Sequence, residues 1–359
     1  MKKVIKQVVG IDVAQKELVV TLGKLYEDLS TDLLAYKVFK NTSNGFEALV
    51  LWVKKLTQED VEVRYVMEAT GVYHEKFAYF LSDLEKAISI ILPNKISNYI
   101  RTLEVKTITD KSCSQAIAQF GLERKLDNWN RPNPVLKNLK QLTRERDQIV
   151  DERSAIKNQL HAEDTESEPN KSSIKRMNQR IKLLSKQEQE IKVEINQLIA
   201  SDKELNRHVK QATTIPGIGI LTASVIYAET NGFELIRNKK QLTSFAGLDV
   251  IEKQSGTSVK GKTHISKKGN RHLRKAMHLP ALSAIKHDVR YKDLFVRLVG
   301  KHGVKMKAVT AVQRKLLELT YILHKNNTTY HALAKEQCES VENLSLIHIS
   351  EPTRRTPIS

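Results

Sequence analysis

Cysteine is nearly absent. The 359 residues contain two, Cys113 and Cys338, far apart and in no metal-ligand spacing, so neither a disulfide framework nor a structural zinc site organises the fold. Long apolar runs are missing as well. The longest, such as Ile88 to Pro93, are strand-sized and exclude a chain built of membrane spans. Acidic residues are in deficit: 41 Asp plus Glu against 59 Lys plus Arg leave a net charge of +18. That balance points to a polyanionic partner through field steering and phosphate contacts, although ribosomal and membrane-surface proteins share it. The sequence also lacks a P-loop, a Rossmann glycine fingerprint, an HExxH helix and a Ser, His, Asp hydrolase elbow. His74, His208, His278, His287 and His302 fall in no metal spacing and read as surface or structural. MKKVIKQVVGID carries three lysines but no apolar core or cleavage site, so no secretion signal is read and the cytoplasm is the expected compartment.

Hydrophobic residues make up 40% of the chain, enough to bury real cores, and the length implies two or three domains. Residues 1–125 alternate β-branched runs (Gln7 to Asp12, Leu18 to Leu22, Tyr36 to Phe39, Val63 to Met67, Ile88 to Leu92) with helical spacing over Phe46 to Leu56 and Tyr73 to Leu84. They predict an α/β domain on a central sheet. Residues 126–210 change character. Apolar residues from Val135 to Leu160, and again from Ile174 to Leu205 after a polar break at Pro169, recur every three, four or seven positions and predict an antiparallel coiled-coil hairpin. Arg146, Arg153, Glu188 and Asp202 interrupt its seam. Residues 211–332 predict a mainly α domain, closing with helices over Tyr291 to His302 and Val304 to His324. The tail, 333–359, adds no pattern. Its last segment, 344–359 (LSLIHISEPTRRTPIS), looks like one reading frame of a sequencing adapter joined to a truncated gene and is expected to lie outside the fold.

Three acids stand where chemistry could be done. Asp12 ends a hydrophobic strand, the position from which RNase H-like nucleases hold a divalent metal, and also an ordinary place for a turn or cap residue. Glu68 ends a second buried-looking strand, and Gly71 lets the chain turn sharply into the next helix. Asp110 precedes the helical stretch Ser114 to Phe120, where an acid also suits the helix dipole. Further on, Thr214 to Gly219 (TIPGIG) followed by a helix reads as the hairpin of a helix-hairpin-helix. Gly217 and Gly219 there let backbone N–H groups point at a phosphate without reading base identity; a tight interhelical turn is the plainer alternative. Residues 253–275 hold eight Lys or Arg and no acid, a basic loop and helix that include Lys260, Lys262, Lys267, Lys268, Arg271, Arg274 and Lys275. Ser255 lies at the edge of this patch. From spacing alone it is a loop serine, a poor nucleophile without a base, a metal or strong phosphate stabilisation beside it.

The order GID, then EATG with Tyr73, then Lys106, Thr107 and Asp110 running into Ala116, Ile117, Ala118 and Gly121 resembles the RuvC-like DEDD domain of one class of insertion-sequence transposases. TIPGIG and the SG at Ser255 resemble the same family's C-terminal transposase domain, and the likeness covers about residues 5–325. The resemblance implies an RNase H-like fold with Asp12, Glu68 and Asp110 in the first three acidic positions, as catalytic residues and Mg²⁺ ligands. Cys113 stands where the family has its fourth acid. It further implies that Ser255 attacks DNA to form a phosphoserine link beside the metal-binding acids, conserving bond energy without ATP. DNA of the element ends and target, a structured guide RNA that pairs with both, and a homodimer pairing into a tetramer are the implied partners. Two rivals stand beside this reading: a Holliday-junction-type nuclease working by metal-dependent hydrolysis, and a catalytically inactive nucleic-acid-binding protein, suggested by Cys113.

Overall fold

The computed structural model describes residues 2–69, 71–103, 107–234, 236–252, 254–255, 259–261 and 263–331. The chain divides into two compact units between Arg131 and Pro132.

The first unit is a five-stranded sheet with helices on both faces. Its elements are β1 (Val4–Val13), β2 (Glu17–Tyr26), β3 (Thr31–Lys40), α1 (Ser43–Leu56), β4 (Val63–Glu68), α2 (Glu75–Asp83), β5 (Ala87–Ile91), α3 (Pro93–Ile100) and α4 (Asp110–Glu123). The strand order is β3-β2-β1-β4-β5. β1 pairs antiparallel with β2, β2 antiparallel with β3, and β4 runs parallel to both β1 and β5. This mixed order is that of the RNase H-like sheet expected from the sequence. Alternation sorts the strand side chains to two faces. Val9, Ile11 and Val13 pack with Leu49 and Val53 of α1 and with Phe77 and Leu81 of α2. Val8 and Val66 pack with Ile117 and Leu122 of α4 and Ile96 of α3.

The helix α4 lies unusually close to β1, and glycine is the reason. A Cβ on Gly10 would stand 2.2 Å from the Ala118 amide nitrogen and 2.5 Å from the Ser114 carbonyl oxygen. A Cβ on Gly121 would press on Val8 at 2.7 Å. Small residues on both surfaces therefore let backbone meet backbone, and the buried Ser114 and Thr21 hydroxyls bond across the gap at 2.8 Å.

The second unit begins with two long helices, α5 (Pro134–Thr165) and α6 (Lys171–Ser201), packed along each other. Their N-termini are capped by Asn133 and Asn170. Three polar residues that interrupt the apolar seam answer one another. Glu188, nearly buried, receives Arg146 at 2.9 Å, Arg153 at 2.6 Å and Lys192 at 2.9 Å. Asp202 departs from the expected seam: α6 stops at Ser201, and the Asp202 carboxylate instead caps α7, accepting from the amides of Glu204 and Leu205 at 3.0 Å each.

After α7 (Lys203–Ala212) come α8 (Ile220–Thr230), α9 (Lys239–Phe245), strands β6 (Val250–Ile251), β7 (Gln254–Ser255), β8 (Val259–Lys260) and β9 (His264–Ile265), then α10 (Arg271–Ala276), α11 (His278–His287), α12 (Val289–His302) and α13 (Lys305–Asn326). The unit is mostly helical. Leu139 of α5 and Ile195 of α6 share one core with Ile226 and Tyr227 of α8 and Leu316 of α13, so the base of the helical pair is built into the domain.

Candidate acidic centre and nucleic-acid interface

Asp12 lies two residues past Gly10 and Glu68 two residues past Val66, so both project from the α4 face of the sheet near the C-terminal ends of β1 and β4. Asp110 is the first residue of α4. A capping box fixes that end: the Thr109 hydroxyl accepts from the Ser112 amide at 3.2 Å and the Ser112 hydroxyl accepts from the Thr109 amide at 2.8 Å. Cys113 follows one turn later on the same side of the helix.

Electrostatics records how these groups face one another. Burial, and then the charges of Asp110 and Glu68, push the Asp12 carboxyl up to about 6. Burial, followed by Asp12, Glu68 and Asp110, raises the Cys113 thiol. Two of the sequence-predicted acids, Asp110 and Glu68, thus act on the third, Asp12. Among the described residues, no three Asp, Glu, His or Cys side chains form a ready-made coordination cluster.

Ser255 lies not in an open loop but in a β-ribbon, where its register partner is Val259. A second short pair, Val250 with Ile265 and Ile251 with His264, continues the ribbon toward the helical body. Residues 256–258 and Lys262 lie outside the described residues. Lys260 belongs to β8. The ribbon's far end is fastened by the Ser266 amide donating to the Asp249 carbonyl at 2.8 Å, and by the Asn270 amide donating to the Phe245 carbonyl at 2.7 Å. Lys267, at φ +52°, and Lys268 are exposed on this return, and Arg271 is exposed at the start of α10.

Two of the cations expected to meet phosphate have internal partners. Arg274 donates to the Ala246 carbonyl at 2.8 Å, and Lys275 pairs with Asp151 of α5 at 2.9 Å and with Asp147 at 3.7 Å. In the α7–α8 hairpin, Gly217 adopts φ +86° and a Cβ there would meet the Pro280 carbonyl oxygen at 2.4 Å. Its role is to let the turn sit on α11. Gly219 is exposed, is the N-cap of α8 and has open space where a Cβ would stand.

A family model of DEDD transposases of IS110 elements, described as "Transposase", matches residues 9–163. A second, described as "Transposase IS116/IS110/IS902 family", matches residues 209–296. Both matches are to transposases of the IS110 type, and they make the chain a transposase. It is 28% identical to the pilin gene-inverting protein of Moraxella bovis over 294 residues, covering 81% of this chain and 89% of that one. The pilin gene-inverting protein of Moraxella lacunata gives the same identity and coverage. A stretch of 120 residues, 33% of this chain and 29% of the relative, is 28% identical to an uncharacterized 43.6 kDa protein of insertion element IS110 from Streptomyces coelicolor. Among solved structures, Thermus thermophilus RuvC bound to a Holliday junction substrate aligns over 34% of this chain and 99% of its own at 14% identity and a TM-score of 0.25. A second RuvC structure from that organism aligns over the same shares at 15% identity and 0.27. The RuvC-like character of the first unit rests on the sheet order described above.

For this transposase the donor set suits a hard divalent cation. An Asp12 carboxyl raised by burial and then by the charges of Asp110 and Glu68 would be relieved by such a charge, whereas a thiol is a softer donor than such an ion prefers.

One buried charge in the second unit escaped the sequence reading. The Glu229 side chain on α8 is fully buried and takes a bidentate pair from Arg144 of α5, at 2.7 Å and 2.9 Å. Asn270, the N-cap of α10, donates to it at 2.6 Å, and Lys140 stands at 3.7 Å. Burial favours the neutral acid, but Arg144, Asn270 and Lys140 outweigh it and hold the carboxyl below its ordinary value. Glu229 ties α5, α8 and the residue that closes the serine ribbon to one another. The sequence signal was a lone charged residue in a helix of apolar and hydroxyl side chains.

Proposed function

We propose that this transposase cuts and exchanges DNA strands by transesterification through a phosphoserine at Ser255, assisted by Asp12, Glu68 and Asp110. The raised Asp12 carboxyl, pushed up by burial and then by the charges of Asp110 and Glu68, is the observation that carries the reading, because a strand-end acid so perturbed suits a catalytic centre better than a stabilising one. Asp12, Glu68 and Asp110 would hold Mg²⁺. When bound, that ion lowers the cost of charge developing on the phosphoryl oxygens.

Ser255 supplies the attacking oxygen. A Ser255 Oγ–P bond forms as one P–O bond of the strand breaks; the hydroxyl proton leaves Ser255, and the departing oxygen is protonated as an alcohol. One phosphodiester replaces another, so no nucleotide is consumed. Exposed Lys267, Lys268 and Arg271 bind the flanking phosphates, and the α8 amides beyond Gly219 hold the backbone of the duplex. A guide RNA selects the sites. The α5–α6 pair acts as a coiled-coil assembly arm in a homodimer that pairs into a tetramer, supplying the several active sites that two strand exchanges need. The invertase name of the Moraxella relatives agrees with this class of reaction.

The test compares strand cleavage and binding on element-junction DNA. Asp12→Asn is expected to bind DNA as the parent protein does while losing cleavage by at least about 100-fold. Undiminished cleavage by that variant contradicts the role of the acidic centre, and cleavage without a protein–DNA adduct in the parent protein moves the reading to a hydrolytic nuclease.

A further inference from the structure

The first unit holds a cavity that the acidic centre does not use. It has a volume of about 610 Å³ and is walled by the end of β5, by α3, and by the last turn of α4 with the segment that follows. That volume falls within the roughly 300–1,000 Å³ of small-molecule sites.

Its chemistry is divided. Tyr99 of α3 and Phe120 of α4 line the apolar part and meet edge to face with ring centroids 5.1 Å apart. Tyr99 is 7% exposed. Its hydroxyl is buried, with the Glu123 carboxylate as its polar neighbour. The open side carries Lys95, Arg124 and Lys125, all exposed, with Asp127 in the lining and Glu123 beside Tyr99 as the neighbouring carboxylates. Asn98 and Thr102 add amide and hydroxyl groups to the wall. Lys6 reinforces the positive end by donating to the Arg124 carbonyl at 2.7 Å and the Leu122 carbonyl at 3.1 Å, where α4 stops.

Aromatic rings in a lining that is part apolar and part polar, beneath a cationic rim, form a pairing that suits a nucleotide. The flat base leaves water against the rings, its edge meets amide and hydroxyl groups, and the phosphates on either side meet lysine and arginine. A purely apolar ligand would leave the rim cations without a purpose. A base paired in a duplex could not enter, because its faces are occupied by its neighbours. The location suits a strand already held at the acids. Ile91, in the cavity wall, is the register partner of Glu68, and the Ala69 amide donates to the Ile91 carbonyl at 2.9 Å. The cavity therefore begins one strand away from an acid of the catalytic centre.

We propose that this cavity seats one unpaired nucleotide of a single-stranded nucleic acid, its base against Tyr99 and Phe120 and its flanking phosphates on Lys95, Arg124 and Lys125. RNA and DNA share this chemistry. The inference does not depend on the reaction at Ser255.

The test uses the full chain and two labelled hexanucleotides, oligo(U) carrying one 4-thiouridine and oligo(dT) carrying one 4-thiothymidine. Affinity is read by anisotropy, and the photo-crosslinked peptide is identified by mass spectrometry. The rim variant Lys95→Glu/Arg124→Glu changes only exposed side chains. Lys54→Glu/Lys55→Glu on α1 removes the same charge on the other side of the sheet and controls for a general field effect. Binding by the rim variant is expected to weaken by at least about tenfold relative to the α1 variant, with the crosslink in a peptide containing Tyr99 or Phe120. The polymer that shows the larger loss identifies the source of the strand. Equal weakening of the two variants overturns the proposal, as does a crosslink confined to other peptides. Competition by uridine monophosphate or an acidic hexapeptide as strong as by the hexanucleotides also overturns it, pointing to a free nucleotide or a protein segment instead.

Discussion

Gly10 lies directly against Ala118: a single Cβ on the glycine would stand 2.2 Å from the alanine amide nitrogen. That approach sets how closely α4 crosses β1, and so brings Asp110 into the field of Asp12. Gly10→Ala cannot be absorbed by a side-chain rotation, because the obstacle is backbone. It is expected to destabilise the first unit by about 1–3 kcal/mol, read as a lower urea midpoint, and to reduce strand cleavage. An unchanged midpoint contradicts the packing account.

The Arg144–Glu229 pair is a stronger lever on the second unit. Arg144→Met leaves a fully buried carboxylate without its bidentate partner and is expected to cost about 3–5 kcal/mol. Arg144→Met/Glu229→Gln removes the stranded charge and should recover part of that loss. A single variant no less stable than the double contradicts the role given to the pair. Because Glu229 is held below its ordinary value, its contribution is complete above about pH 4.5 and is lost as pH falls.

His324 acts over a different window. Burial, followed by the neighbouring His208, lowers its pKa from 6.5 to about 4, and the two rings lie 4.5 Å apart. Between those values the unfolded chain binds more protons than the folded one, so stability rises with pH. Acidification from pH 6.5 toward 4 is expected to weaken the parent protein more than His324→Asn, when each is compared with itself at pH 7.5 by thermal melting. Parallel pH profiles count against the shift.

The basic surface separates into two kinds of cation. Lys267→Glu/Lys268→Glu is expected to weaken DNA binding across all sequences and to lower the salt dependence by about 1 for each phosphate that is no longer neutralised. Lys275→Ala, whose ammonium is already paired with Asp151, should move affinity less and hairpin stability more. Equal losses of affinity from the two changes contradict that division.

The strands of the first unit were legible because β-branched residues alternate or run continuously there, and the strand-end positions of Asp12 and Glu68 followed from them. α3 was not read. Its eight residues, PNKISNYI, are too few and too polar to show a helical period, although Pro93 at its first turn was a usable start signal. The serine ribbon was taken for a loop because its strands are two residues long and separated by glycines, below the length at which alternation is visible. Arg146, Arg153 and Glu188 read as flaws in a seam because a sequence shows charges without their partners. Asp202 read as seam for the related reason that a cap and a heptad position can coincide in spacing. Glu229 was hidden in a helix with no other charged residue, where one acid near the end reads as an ordinary surface position.

The central claim is that Ser255 becomes covalently joined to DNA with the help of the acidic centre. It is tested most directly by incubating the protein with labelled element-junction DNA, Mg²⁺ and RNA transcribed from the element's flanks, then separating the products on a denaturing gel. The expected result is a labelled protein band in the parent protein that is absent in Ser255→Ala and in Asp12→Asn. An adduct that persists in Ser255→Ala, or cleaved DNA with no adduct in any lane, would contradict the account.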